Sequence, residues 1–262
     1  MKLEVDGRDV FATTGGVAFD PAKAAVIFLH GAGFDRTVWR LQTRWFAHHG
    51  RSVLAVDFPA HGWSDGPMLT SIAAMADWTA ALIEAAGLRT AALVGHSMGA
   101  LVALDCAARH GAKVRALGLC GVAAGMPVHP EMLESAKANT LKVQELMTFW
   151  GVGDALHKGG MVSPGLWLRR ESLSVLARNR PDVIHADLAA CNAYKDALER
   201  AATIRCPAVL VLGDGDLMTP AAKAKPLTAA LAGARTVIVA ASGHFMMVER
   251  PDETLAALQS CV

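Results

Sequence analysis

The sequence predicts an α/β fold, with a mostly parallel central sheet, helices on both faces of the sheet and an inserted helical cap. Short apolar runs rich in β-branched residues alternate along the chain with longer helical patterns. This alternation favours a parallel sheet covered by helices. The short runs are apolar at every position, which is typical of strands buried on both faces. One long stretch, residues 123–205, lacks a convincing strand and predicts the cap.

The predicted sheet begins with an antiparallel hairpin at one edge, since residues 2–6 and 9–13 flank Gly7. The other strands are predicted at residues 25–29, 53–57, 91–94, 114–119, 208–212 and 236–239. Helical patterns are clearest at residues 71–86, 98–110 and 221–231. Glycines that fit C-terminal helix caps follow helical stretches at Gly50, Gly87, Gly111 and Gly233.

We divide the chain into a core of residues 1–122 and 206–262 and a helical cap of residues 123–205. Open α/β sheets bind ligands at the carboxyl edge of their strands, and the cap is expected to cover that edge. Most methionine and aromatic side chains of the cap should fill its own core, while a few should line the roof of a pocket. These residues are Met126, Met132, Met147, Phe149, Trp150, Met161, Trp167 and Tyr194.

Composition and charge exclude several classes of protein. Hydrophobic residues make up 53% of the 262 positions and charged residues 19%, which excludes an intrinsically disordered chain. Lys and Arg number 25 against 24 Asp and Glu, without a run of like charge, so nucleic acid is not an expected partner. The longest uncharged stretches are too short for a membrane span, and residues 1–6 lack the apolar core of a signal peptide. We therefore expect a cytoplasmic protein without a membrane partner.

The cysteine and histidine patterns do not predict a metal site or a cofactor. Five cysteines with wide spacing include no C-x-x-C pair, and the ten histidines include no H-E-x-x-H motif. Cys106 and Cys120 have apolar surroundings, where a free cysteine usually behaves as a small hydrophobic residue.

Residues 95–99 read GHSMG and match the G-x-S-x-G pattern between a predicted strand and a predicted helix. A serine on such a sharp strand-to-helix turn exposes its hydroxyl at the edge of the sheet. Glycines two residues to either side allow strand and helix to approach closely, and the helix N-terminus points its positive end at the site. We therefore predict that Ser97 is a nucleophile.

A serine hydroxyl needs a base, and the base needs a carboxylate that fixes its tautomer. His244 follows the last predicted strand and should reach the same edge of the sheet as Ser97. Residues 213–216 (GDGD) follow the preceding strand and offer two carboxylates. We predict Asp216, which lies deeper in the turn, with Asp214 as the alternative.

A developing oxyanion needs backbone N–H donors. Met98 follows the nucleophile and supplies one, while residues 30–33 (HGAG) follow the first parallel strand and supply the other, which we place at Ala32. His30 is expected to brace that loop rather than to carry a proton. The predicted substrate pocket comprises Gly33, Phe34, Met126, Met147, Trp150, Trp167 and Phe245.

The chain resembles the α/β-hydrolase family over almost its whole length, from the HGAG loop to the histidine loop. Residues 57–64 (DFPAHGWS) resemble the family segment D-x-P-G-H-G-x-S, with Ala60 in place of the usual glycine. The resemblance implies a structural role for His61. Within the family the chain is similar to the capped esterases, the haloperoxidase-like members and the C–C bond hydrolases. Dehalogenases and epoxide hydrolases of the family use an aspartate where this chain has Ser97, so both activities are disfavoured.

The sequence thus predicts a serine hydrolase that cleaves small-molecule carboxylic esters or lactones through an acyl-enzyme. An alternative is a C–C bond hydrolase of vinylogous diketone acids, although such relatives typically have Asn and Trp where this chain has His96 and Phe245. An alternative of another class is a dinucleotide-binding protein, because glycines follow a strand and Asp57 ends the next. Arg36 disfavours it, since it occupies the position of the third fingerprint glycine.

Overall fold

The computed structural model describes residues 1–157 and 167–262. Its strands form one eight-stranded sheet in the order β1-β2-β4-β3-β5-β6-β7-β8. The first two strands pair in antiparallel fashion, β2 pairs antiparallel with β4, and all later pairs are parallel. The strands are β1 (Lys2–Val5), β2 (Arg8–Thr13), β3 (Ala25–Leu29), β4 (Ser52–Val56), β5 (Ala91–His96), β6 (Val114–Cys120), β7 (Ala208–Gly213) and β8 (Arg235–Val239).

The predicted α/β fold and the edge hairpin are therefore confirmed, with strand ends that differ by one or two residues. Residues of β3, β4, β5 and β7 are buried throughout, as their uninterrupted apolar sequences indicate. β3 and β5 are neighbours in the sheet, with Leu29 paired to Gly95. This pairing brings the loop after β3 and the turn after β5 to the same edge.

Twelve α-helices are found in the described residues, and they form layers on the sheet. Helix α3 contacts both α2 and α9 in one group, and α1, α11 and α12 contact one another in a second. The helices are α1 (Arg40–His48), α2 (Ile72–Ala85), α3 (Met98–Arg109), α4 (Pro130–Lys137), α5 (Leu141–Gly151), α6 (Asp154–His157), α7 (Leu168–Leu176), α8 (Val183–Ala193), α9 (Ala197–Thr203), α10 (Lys225–Ala230), α11 (Met246–Glu249) and α12 (Pro251–Gln259).

The stretch between β6 and β7 is helical in its described part, without a strand there. Helix α4 packs against α5 and α8, and α5 packs against α7. The cap boundaries at 123 and 205 stay a prediction, and α9, which lies inside them, packs mainly against α3 and α10. Met161 belongs to the predicted cap and lies outside the described residues.

The single helix predicted at residues 221–231 is divided in the structure into a 3-10 helix and a short α-helix. Ala221–Ala224 is a 3-10 helix, and α10 begins at Lys225 with Pro226 in its first turn. Proline fits the first turn of an α-helix because the missing N–H would have no intrahelical acceptor there. Within the described parts of the chain, every helix is too short or too polar to cross a bilayer.

Candidate active site

Ser97 occupies a strained turn between β5 and α3. Its φ is +53° and its ψ −116°, a conformation that residues with a side chain rarely adopt. A Cβ on Gly95 would overlap the Gly99 carbonyl, and a Cβ on Gly99 would overlap the carbonyls of Leu29 and His30. Strand and helix therefore approach each other as closely as the glycine spacing predicts, and the serine stands at the carboxyl edge of the sheet.

His244 lies beside Asp216 in the interior. The distance between His244 Nδ1 and Asp216 Oδ2 is 2.7 Å, and both residues are 3% exposed. Asp216 Oδ2 also accepts the Thr219 hydroxyl at 2.7 Å, while Oδ1 accepts the N–H groups of Met218 and Thr219 at 2.8 Å. The carboxylate therefore holds a proton on Nδ1 of the imidazole and leaves Nε2 as the acceptor.

The electrostatics of this pair favour an ionised carboxylate. Burial acts to raise the pKa of Asp216, but the charge and hydrogen bond of His244 and the bonds from Thr219 outweigh burial and lower the pKa to about 2. The alternative carboxylate, Asp214, is exposed and accepts the Ser242 N–H at 3.2 Å. The structure thus brings Asp216, and not Asp214, to His244.

Ser97 and His244 line one cavity of about 370 Å³. Of the predicted pocket residues, Phe34, Met126, Met147, Trp150 and Phe245 line it, and so does Ala32. Sequence reasoning missed further lining residues from the cap and from the segment after β7. These include Val128, Leu188, Cys191, Leu217, Met218 and Lys223.

Two predicted pocket residues lie elsewhere. Gly33 borders a separate cavity beside Asp35 and Arg178, because its peptide group is turned toward the cap. Trp167 directly precedes α7, is 60% exposed and is not among the described residues that line the cavity of Ser97 and His244. Helical periodicity and composition identify apolar residues of a cap but not the face that each one presents.

The two predicted oxyanion donors border the serine, since Met98 follows it in the chain and Ala32 lines the same cavity. The Met98 N–H is the first of α3 and has no intrahelical acceptor. Ala32 is in the loop after β3, where Phe34 N–H donates to the Gly31 carbonyl at 3.1 Å. In the described part of the chain, neither the Ala32 nor the Met98 N–H donates to another protein acceptor. Both are available to a ligand oxygen.

His30 and His96 are buried close to this loop. The Phe58 N–H donates to His30 Nε2 at 3.1 Å, so Nδ1 carries the proton and donates to the Gly31 carbonyl at 2.9 Å. Burial lowers the pKa of His30 to about 4, which keeps it neutral. His96 Nε2 donates to the His244 carbonyl at 2.9 Å, and burial lowers the pKa of His96 as well. Both rings therefore act as neutral braces.

The segment 57–64 is held by its own hydrogen bonds. The Asp57 carboxylate accepts the backbone N–H groups of Arg36 and Trp63 at 2.8 and 2.9 Å, and it pairs with the buried Arg36 guanidinium. Because its oxygens are occupied in this way, Asp57 is not available to a ribose, and the dinucleotide alternative finds no support. Ala60 has a φ of +68°, which explains why the family pattern has glycine at its position.

Glu249 supports the histidine loop, a role that sequence reasoning missed. Its Oε2 accepts the N–H groups of Gly243 and Gly153 at 2.9 and 3.1 Å, and Oε1 accepts the Phe245 N–H at 3.2 Å. Burial raises the pKa of this carboxyl group. The Thr219 contact could have been anticipated from its position three residues after Asp216, but the link to Gly153 spans 96 residues and leaves no local signal.

Comparison with known proteins decides the family. Residues 26–258 match the profile of the alpha/beta hydrolase family. The chain belongs to the α/β-hydrolase family. It is 32% identical over 247 residues to a pimeloyl-[acyl-carrier protein] methyl ester esterase of Neisseria meningitidis serogroup B, covering 89% of this chain and 90% of that protein. A putative carbamate hydrolase, RutD, of Klebsiella pneumoniae subsp. pneumoniae is 26% identical and covers 88% of both chains.

The solved structures agree on the fold. The enol-lactonase from Burkholderia xenovorans LB400 superposes with a TM-score of 0.88 at 21% identity and covers 99% of this chain and 98% of its own. An esterase from Exiguobacterium antarcticum superposes with a TM-score of 0.85 at 19% identity, and the match covers 99% of this chain and 98% of the esterase. The esterase and hydrolase relatives in sequence, and not these structures, identify this α/β-hydrolase as an enzyme that resembles carboxylesterases.

Proposed function

We propose that this α/β-hydrolase cleaves carboxylic esters, lactones included, through an acyl-enzyme formed on Ser97. One observation carries the proposal. Ser97, on its strained turn, lines the same cavity as His244, and His244 Nδ1 is held by Asp216 at 2.7 Å. A nucleophile, a base and a carboxylate that orients the base are the components of this chemistry.

In the first step, Ser97 Oγ attacks the ester carbonyl carbon while His244 Nε2 accepts the hydroxyl proton. The carbonyl oxygen becomes an oxyanion that accepts hydrogen bonds from the N–H groups of Ala32 and Met98. The C–O bond to the alcohol then breaks, and His244 returns the proton to the leaving alkoxide. Asp216 stays ionised throughout, as its lowered pKa requires.

In the second step, water attacks the acyl-enzyme with His244 as base, and the carboxylic acid and free Ser97 are released. A lactone follows the same path, except that its alcohol remains attached to the acyl group. No observation on the described residues favours the C–C bond hydrolase alternative over this path.

The cavity supports an uncharged or anionic substrate with apolar parts. Its volume falls within the range of small-molecule pockets, and methionine, aromatic and aliphatic side chains dominate its lining. Among the described lining residues, Lys223 is the only one with a fixed charge, and a carboxylate that could bind a cationic group is absent. The methyl ester named for the Neisseria relative is compatible with such a site.

The decisive experiment combines labelling with turnover. A phosphonofluoridate should label the wild type once per chain, and Ser97→Ala should abolish both labelling and the hydrolysis of p-nitrophenyl esters. Ser174→Ala, an exposed serine on α7, serves as the matched control and should leave both unchanged. Turnover retained by Ser97→Ala would show that another nucleophile acts. A panel of methyl esters of increasing acyl length and of lactones then ranks the substrate classes.

A further inference from the structure

The cap holds the two peptide groups on either side of Gly33, in the loop after β3, with one hydrogen bond each. The Gly33 N–H donates to Asp187 Oδ2 at 2.8 Å, and the Gly33 carbonyl accepts the Asn179 Nδ2–H at 2.6 Å. Asp187 lies on α8, and Asn179 lies shortly after the end of α7. A Cβ on Gly33 would meet Leu176 at 2.9 Å and Ile184 at 3.0 Å, so this contact between loop and cap leaves no space for a side chain.

We propose that Asp187 and Asn179 are positioning residues, which hold the turn at Gly33 and thereby keep the Ala32 N–H directed toward the oxyanion. The inference rests on the acyl transfer proposed above. It implies that the active site is complete only when the cap is seated on this loop.

The turn geometry explains why the cap contact matters. Ala32 and Gly33 are the central residues of a turn closed by Phe34 N–H and the Gly31 carbonyl. Gly33 has a φ of +68°, which is the type II arrangement. The central peptide of a turn can flip between type I and type II, and the flip reverses the direction of its N–H. Asp187 accepts that N–H only in the observed arrangement, so it fixes the peptide that follows Ala32, while the bond from Phe34 N–H to the Gly31 carbonyl holds the ends of the turn. Together these contacts restrict the movement of the Ala32 backbone and hence of its N–H.

The buried side chain of His61 is a second hydrogen-bond partner of Asp187. Asp187 is 1% exposed, and its Oδ2 also lies 2.8 Å from His61 Nε2. His61 Nδ1 faces the Pro59 carbonyl at 3.0 Å, so both ring nitrogens face acceptors and both carry protons. Burial opposes the charged ring, but the charge and hydrogen bond of Asp187 prevail and raise the pKa of His61. His61 Nε2 and the Gly33 N–H thus share Oδ2 of Asp187, and hydrogen bonds that involve a charged group are stronger than those between neutral groups.

The test separates positioning from mere structural support. Asp187→Ala should lower kcat about 10- to 100-fold and leave KM within about twofold, because an oxyanion contact strengthens mainly in the transition state. The inhibition constant of an alkyl boronic acid, which adds to Ser97 and mimics the tetrahedral intermediate, should rise by the same factor as kcat/KM falls. Asp187→Asn keeps an oxygen acceptor and should restore most of kcat.

The control is Asp196→Ala, an exposed carboxylate that follows α8 and does not touch the loop; it should match the wild type. A folded Asp187→Ala enzyme with wild-type kcat would overturn the proposal, as would a kcat loss without weaker boronate binding. If Asp187→Ala does not fold, Asn179→Ala decides. A loss of kcat at constant KM supports the proposal, and an unchanged kcat overturns it. Turnover by Ser97→Ala would instead overturn the proposed function.

Discussion

Asp216 divides its two carboxylate oxygens between two tasks. Oδ1 accepts backbone N–H groups from Met218 and Thr219 and thereby fixes the turn after β7. Oδ2 accepts the Thr219 hydroxyl and faces His244 Nδ1. A residue that supports both the loop and the base has to be ionised, and the lowered pKa meets this requirement.

Replacing Asp216 by Asn tests this assignment. An amide nitrogen can donate to Nδ1 and impose the wrong imidazole tautomer, as in other triads, so kcat should fall by about 10²- to 10⁴-fold. Steady-state hydrolysis of a p-nitrophenyl ester measures the loss. Asp214→Asn is the matched control, since its Oδ1 contact to Ser242 N–H can persist, and kcat should stay within about twofold. The opposite ranking of the two variants would assign the role to Asp214.

The strand–turn–helix unit around Ser97 shows how an element creates a reactive residue. Two glycines bring β5, α3 and the loop after β3 into backbone contact, and the serine takes the strained position between them. An alanine is normally favoured over glycine in a helix by about 1 kcal/mol. At Gly99 steric overlap reverses this preference and makes alanine the less stable residue, because the added Cβ would meet the carbonyls of Leu29 and His30.

Gly99→Ala should therefore lower the free energy of unfolding by about 3 kcal/mol, at the upper end of overpacking costs. Urea unfolding followed by tryptophan fluorescence measures the change. Gly111→Ala is the control, since a Cβ at Gly111 would meet no atom within 4 Å and its φ is not positive. Equal stability of the Gly99 and Gly111 variants would contradict the close approach described for this unit.

Local patterns predicted the central strands well because β3, β4, β5 and β7 bury uninterrupted apolar runs. The serine turn was predictable from five consecutive residues, and His244 and Asp216 were predicted by their places after β8 and β7. The contacts that support them were not predictable. Asp187 lies 154 residues from Gly33, and neither sequence neighbourhood signals the other. Gly33 and Trp167 were placed wrongly for the same reason, since only tertiary packing determines which way they face.

At the scale of the whole molecule, buried histidines link stability to pH. Burial lowers the pKa of His30 to about 4 and also lowers the pKa of His96. Such a group stabilises the fold above its unfolded pKa of about 6.5, and this contribution is lost as the pH falls toward the folded value. His61 has a raised pKa and behaves oppositely: its contribution is complete below about pH 6.5 and is lost as the pH rises. His61 therefore does not offset the stability that the fold loses through His30 and His96 as the pH falls.

The free energy of unfolding should therefore fall as the pH is lowered from about 6.5 to 4, with about 3 kcal/mol of the loss due to His30. Glu249, whose pKa is raised, acts in the opposite direction. Asp216 loses its contribution to stability only at lower pH, so a single wild-type curve does not isolate the effect of His30.

Comparison with the variant His30→Gln isolates the effect of His30, because glutamine retains a donor and an acceptor but does not titrate. Urea midpoints at several pH values should decline less steeply for His30→Gln than for the wild type. His48→Gln, at an exposed position, should keep the wild-type slope, and an unchanged slope in His30→Gln would refute the assignment.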